Sequence, residues 1–178
     1  MEDKILVAYA STNGSTQEVA EAVAATLRES GLEVDILPLR EIKTLTGYRA
    51  VVLGAPLYMF HWHKDAHQFL SRQRSALTSG LPVAIFAGGP IEEGKEEQWQ
   101  EVRKQLDQEL AKYPWLKPIS IEIVGGKFDP AKLRFPYNLI PALKQMPPTD
   151  LRDWTAIHTW ASQLAVQLQP ALSREAVN

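Results

Sequence analysis

Residues 7–24, VAYASTNGSTQEVAEAVA, run from an apolar stretch through Asn13-Gly14 into a helical pattern, and their reading decides the fold. Two structures compete for them. Asn-Gly between apolar runs is a strong hairpin signal, because both residues tolerate positive φ. A hydroxyl-rich loop that opens a helix instead offers free N–H groups and the positive end of a helix dipole, which suit a phosphate. A hairpin needs a second strand after Gly14. The next stretch, Ser15 to Glu29, instead carries Val19, Val23 and Leu27 at a spacing of four, one apolar stripe of a helix, with Gly31 where a C-terminal cap belongs. The unit is therefore strand, loop, helix. A capping box between Ser15 and Glu18 would account for Ser15, but it leaves the hydroxyls of Ser11, Thr12 and Thr16 unused.

Working outward, the same alternation repeats. Ile5–Ala10, Ala50–Ala55, Pro82–Ala87 and Ile119–Val124 are short apolar runs of the kind expected from strands buried on both faces, and Glu33–Leu39 is a less regular one. Helical patterns lie over residues 65–77, 93–112 and 150–169. Buried strands alternating with amphipathic helices predict an α/β fold: a three-layer sandwich with a five-stranded parallel sheet in the order 2-1-3-4-5 and helices on both faces. No repeat or linker interrupts the 178 residues, so one domain is expected over 1–178. Lys127 to Pro148, with its prolines and no clean period, reads as a functional excursion between the last strand and the last helix.

Bulk properties narrow the function. The chain has 19 Lys and Arg against 21 Asp and Glu, a net charge of −2, which gives no concentrated positive field for nucleic acid. The absence of cysteine excludes disulfides, thiolate metal sites and cysteine nucleophiles. The first residues carry no secretory pattern. The most apolar stretch, Ala50–Phe60, falls short of the roughly 20 residues a membrane span needs. A soluble, cytoplasmic protein is expected.

In an open α/β sheet, ligands bind beyond the carboxyl ends of the strands where the strand order reverses. Three loops meet there. The first, Ser11 to Thr16, has no G-x-G-x-x-G and no lysine, so a dinucleotide or a triphosphate fits it poorly and one terminal phosphate fits it well. The second, PLYMFHWH at 56–63, crowds Tyr58, Phe60 and Trp62 where a loop should be polar. Such aromatics suit a flat ring system, or else anchor the loop to the core. Its histidines, with His67, spell H-x-H-x3-H, which could hold zinc or copper, but the stretch lacks the further ligands of a complete metal shell, and no metal is expected. The third, Gly88-Gly89-Pro90, allows close backbone approach or simply ends a strand. Gly89–Glu96, GPIEEGKE, imitates a Walker loop in spacing, but puts Glu92 and Glu93 inside the cradle and Glu96 where a Ser or Thr belongs.

Tyr9, Ser11, Gly14, Thr16, Ala20 and Val23 together resemble the FMN-phosphate loop of flavodoxins, with Ala8 smaller than usual at its position. A narrower likeness is to the menaquinone-dependent protoporphyrinogen IX dehydrogenases. It rests on Gly54-Ala55 followed by His61-Trp62-His63, on Gly125-Gly126 through Asp129, Pro130 and Arg134-Phe135, and on Pro148-Thr149-Asp150 with Trp154 and Trp160. Tyr58 stands where an arginine is expected and Phe60 where a glycine is. The excursion carries Pro136, Pro141 and Pro147-Pro148 and is less basic than in that family. The resemblance implies an FMN oxidoreductase passing electrons from a reduced substrate to a quinone. An electron shuttle serving a redox protein, or a flavin-free binding module, are the alternatives.

The resemblance also implies a site. Ser11, Thr12, Asn13, Gly14, Ser15 and Thr16 would hold the phosphate. Pro56, Leu57, Tyr58, Met59, Phe60, His61 and Trp62 would flank the isoalloxazine ring, and Ala87, Gly88, Gly89 and Pro90 would present backbone to its pyrimidine edge. His61 and His63 are candidate proton relays, since imidazole titrates near neutral pH. Peripheral membrane contact and a homo-oligomer stay open. Trp99, Trp115 and Trp154 are candidates for a subunit contact.

Overall fold

The computed structural model describes residues 4–58, 61–91 and 96–169. In chain order these form β1 (Lys4–Tyr9), α1 (Ser15–Glu29), β2 (Val34–Pro38), β3 (Tyr48–Tyr58), β4 (His61–Trp62), α2 (Lys64–Thr78), β5 (Val83–Gly88) and α3 (Glu96–Leu110). Next come β6 (Ser120–Val124), β7 (Lys127–Phe128), α4 (Pro141–Gln145), β8 (Thr149–Asp150) and α5 (Trp154–Leu168). The main sheet runs β2-β1-β3-β5-β6, all parallel, which is the expected order with β5 and β6 as its fourth and fifth strands. Two additions lie beyond that expectation. β4 turns back antiparallel on the end of β3, pairing Leu57 with Trp62 and Tyr58 with His61. β7 and β8 form a separate antiparallel ribbon, pairing Lys127 with Asp150 and Phe128 with Thr149.

Strand alternation builds two cores from one sheet. Ile5, Val7, Val52 and Phe86 face Val19, Val23 and Leu27 of α1 and Ile157 and Leu164 of α5. Leu6, Leu53 and Ile85 face Phe69 and Leu70 of α2 and Leu106 of α3. The spacing-of-four stripe of α1 is thus buried completely, and each such side chain contributes roughly 1.5–3 kcal/mol relative to exposure. Phe86 fills the space left by the missing side chain of Gly54, whose Cβ would overlap its ring.

The strand predicted at 50–55 extends to 48–58, because Tyr48 pairs with Lys4 of β1 at one end, while Pro56 pairs with Gly88 of β5 and Leu57 and Tyr58 with β4 at the other. The predicted helix at 93–112 is seen as 96–110, and Glu92 and Glu93 lie outside the described residues. The excursion at 127–148 is closed at its base by the β7–β8 ribbon and contains short helical turns at 130–132, 137–139 and 141–145. Trp115 is half-buried against the core with Arg74 over its ring, and Trp154 is stacked under Arg152. Among the described residues, no helix is long and apolar enough to cross a membrane.

Candidate functional site

A cleft opens at the carboxyl ends of β1, β3 and β5. Ser15 and Thr16, Pro56 to Tyr58, and Gly88 and Gly89 line it, so all three predicted loops contribute. Val19, Ile91, Val124, Gly125, Gly126, Lys127 and Arg152 complete the wall.

The first loop is shaped by Gly14, at φ 88, which is left-handed backbone. Its N–H donates to the Ser11 Oγ at 2.9 Å, so Ser11 closes the turn from within. Gly14, not Ser15, is the residue before the helix, and no side chain caps α1. The capping box is therefore not formed: Glu18 turns to Arg152 at 2.6 Å and to Lys127 at 3.9 Å instead. An uncapped first turn at the wall of a cleft leaves N–H groups and a positive helix end to an acceptor from outside. The loop itself carries no charge, so an entering dianion meets hydrogen-bond donors and a dipole. Thr12 is exposed, and its Oγ1 lies 3.4 Å from His63 Nε2.

The second loop divides its aromatics. Tyr58 remains 43 % exposed over the cleft, with its hydroxyl hydrogen-bonded to the side chains of Thr12 and Asn13, and burial leads the influences that push its phenol above the ordinary range. Tyr137 of the excursion stands near enough to add to that shift. Trp62, expected beside a ring system, is buried, and its indole N–H donates to the Ala55 carbonyl at 3.2 Å. Its edge meets His67, so it anchors the loop to α2. Met59 and Phe60 lie outside the described residues.

The histidines have separate partners. His63 Nδ1 accepts from the Asp65 N–H at 3.1 Å and so caps α2, while its Nε2 faces Thr12. Burial favours its neutral form and lowers its pKa from 6.5. His61 is largely exposed, 3.9 Å from Glu109. His67 Nε2 is 2.7 Å from Glu109 Oε2, outside hydrogen-bond direction, and its Nδ1 meets the Tyr113 hydroxyl at 2.6 Å. Glu109 is buried between α3 and the β3–β4 hairpin, where it also takes the Lys112 ammonium at 2.7 Å and the Trp62 main-chain N–H. Burial pushes this carboxyl up, but Lys112, His67 and the Trp62 N–H together outweigh it and hold the pKa below the ordinary range.

The third loop uses its glycines against protein. A Cβ at Gly89 would lie 2.7 Å from the Val124 carbonyl, and one at Gly126 would lie 2.6 Å from the Gly89 carbonyl. Ala87 and Pro90 are buried, and the Pro90 carbonyl accepts from the Gly126 N–H at 2.9 Å. The chain at 149–152 crosses directly over Gly125, whose Cβ would overlap the Leu151 carbonyl. The Leu151 N–H donates to Gly126 O at 2.9 Å, and the Thr149 hydroxyl donates to Ile91 O at 2.6 Å.

Sequence reasoning missed this wall and its key residue, Arg152. The arginine is 8 % exposed, donates to both Asp150 oxygens at 2.8 and 2.7 Å, and reaches Ser15 O at 3.1 Å and Glu18 at 2.6 Å. A lone arginine in a loop gives no periodic signal. The one available hint was an Asp-x-Arg triplet before a tryptophan.

Comparison with known proteins bears on the same geometry. A family profile described as "Flavodoxin domain" matches residues 6–140. The chain is 23% identical over 174 residues to protoporphyrinogen IX dehydrogenase [quinone] of Escherichia coli K12, covering 91% of this chain and 94% of that protein. It is 28% identical over 93 residues to a probable flavodoxin 1 of Bacillus subtilis, 48% of this chain and 56% of that one. Among solved structures, oxidised flavodoxin 1 from Bacillus cereus superposes with a TM-score of 0.58 at 17% identity, over 96% of this chain and 99% of that one.

Proposed function

The chain belongs to the flavodoxin-domain family, whose cofactor is FMN and whose work is electron transfer, and on that premise we propose that it is a cytoplasmic FMN-dependent oxidoreductase of the protoporphyrinogen dehydrogenase kind. In this reading a reduced porphyrinogen-type substrate gives electrons to FMN, and a quinone-type acceptor receives them. Bound FMN supplies the redox chemistry, and the protein supplies binding, orientation and electrostatics.

The residues fit that cofactor. The uncapped start of α1, with the Gly14 turn and the Thr12 and Ser15 hydroxyls, would take the phosphate. Leu57 and Tyr58 would flank the ring, and Gly88 and Gly89 would offer main chain to its edge. His61, exposed on the β3–β4 hairpin, would be one of the two candidate proton relays. His63, held neutral by burial and capping α2, would orient Thr12.

One observation carries the substrate part: the excursion stands at the cleft with an unusual apolar surface. Phe135 is 76% exposed and Leu139 66%, with Tyr137 and Ile140 beside them, and the base of the excursion is itself cleft wall. A surface of that kind suits a large apolar ring substrate better than a polar one. The similarity to the E. coli dehydrogenase, over 91% of this chain, supports the same reading.

The test is anaerobic turnover of the FMN-loaded protein with protoporphyrinogen IX and a menaquinone analogue, read by protoporphyrin fluorescence. Acceptor-dependent fluorescence is expected. Loaded protein that exchanges electrons with a flavodoxin reductase but leaves protoporphyrinogen untouched would contradict the proposal and favour a shuttle.

A further inference from the structure

Arg152 belongs to neither the phosphate loop nor the ring-flanking loops, yet it is the cleft-wall residue with the most built surroundings. Asp150 grips one edge of its guanidinium through Nε and NH2, a fork-to-fork arrangement. The other edge reaches across to α1, where NH1 meets the Ser15 carbonyl and the Glu18 carboxylate. Its face stacks on Trp154 with 4.7 Å to the ring centroid. Asp150 is fixed in turn by β7–β8 pairing, and the ribbon is tied to the third loop through Thr149 and Gly126.

This clamp acts on an anion at the start of α1 in two ways. The first is geometric: the Ser15 carbonyl belongs to the first turn, so holding it fixes the direction in which that turn's N–H groups point. The second is electrostatic. Glu18 and Asp150 stand beside the phosphate end of the cleft and would repel a dianion. Arg152, helped by Lys127 at 3.9 Å from Glu18, cancels them.

We infer that Arg152 is a positioning residue for the phosphate cradle: by clamping the first turn of α1 to the β7–β8 ribbon and neutralising Glu18 and Asp150, it sets the preference for a phosphorylated flavin over the same flavin without phosphate. This rests on the FMN reading above. Arg152 need not touch the phosphate, since its donors are already engaged with protein acceptors.

The experiment titrates refolded or dialysed apoprotein with FMN and, separately, riboflavin, following flavin fluorescence, for wild type, Arg152→Met and Arg152→Lys. The methionine variant is expected to lower the ratio of FMN to riboflavin affinity by about tenfold with riboflavin affinity much less affected, as Glu18 and Asp150 are left uncancelled beside the dianion. Lysine keeps the charge and loses the fork, so the ratio should fall by about threefold. If the methionine variant does not fold, the lysine variant carries the test alone. An unchanged ratio, or equal losses for both flavins, would overturn the inference by making Arg152 a general strut. A wild type that binds both flavins equally would instead overturn the phosphate-site reading on which it stands.

Discussion

The two ends of the cleft are held in place by different means. The phosphate end is local: one stretch from Ser11 to Thr16 bends at Gly14, closes on its own Ser11 hydroxyl and enters α1 uncapped. The ring end is held from afar. The β3–β4 hairpin is fixed by Glu109, which arrives from α3 and gathers Lys112, His67 and the Trp62 N–H around one buried carboxylate. A loop bent by its own residues keeps its shape when a remote contact such as Arg152 is lost and gives up only its aim, whereas a loop held by a remote charge loses its place with that charge.

Glu109→Ala puts the heaviest load on this contrast. Removing one partner from a buried ion-pair cluster costs about 3 kcal/mol, the low end for such sites because Lys112 is half-exposed. Thermal unfolding should show the loss, and FMN and riboflavin affinities should fall together, because the ring end serves both. A loss confined to FMN would remove the distinction between the ends.

Next is Gly125→Ala, which pushes the Leu151 carbonyl off the crossing of 149–152 over 125–126. Overpacking against main chain is expected to cost about 2 kcal/mol. Denaturant melts give the stability, and the FMN to riboflavin ratio should fall with it, since this crossing carries Arg152. At the phosphate loop, Gly14→Ala forces a side chain into left-handed backbone at a cost of about 1 kcal/mol, although its Cβ would meet nothing. There the ratio should fall more than the melting temperature does.

The smallest effect is in pH, and it falls on His63, the residue that joins the two ends. Its folded pKa lies below 6.5, so the unfolded chain takes up the proton first as pH falls. The stabilisation is complete above the unfolded value and is lost as pH drops through the folded one. Glu109 and Asp150, both depressed, add a further loss lower still, in the carboxylate range. Melting temperature measured from about pH 8 to 5 should decline gently, and His63→Asn, which keeps a capping oxygen, should flatten the first part of that decline.

The same contrast separates the legible parts of the sequence from the rest. The parallel sheet and its order, the α1 stripe and the turn between β1 and α1 are written in local periodicity and in Gly14, so they read directly. Trp62 did not: nothing in HWH says whether an aromatic turns toward a ligand or toward α2, and burial against His67 decided it. Ser15 and Glu18 satisfied the spacing of a capping box, but Arg152, far along the chain, offered Glu18 a stronger partner. The glycines at 88–89 announced close approach without saying to what, and the main chain at Val124 occupies much of that space. Each miss is a tertiary contact overriding a local signal.

In the proposed reading the cleft is a flavin site whose phosphate is held by an uncharged loop at the start of α1. Titrating wild-type apoprotein with FMN and with riboflavin puts that to the question. The expected result is one FMN per chain with quenched flavin fluorescence, and riboflavin weaker by about a hundredfold, the equivalent of a well-made phosphate site. Equal affinity for the two, or no binding of FMN, would contradict it.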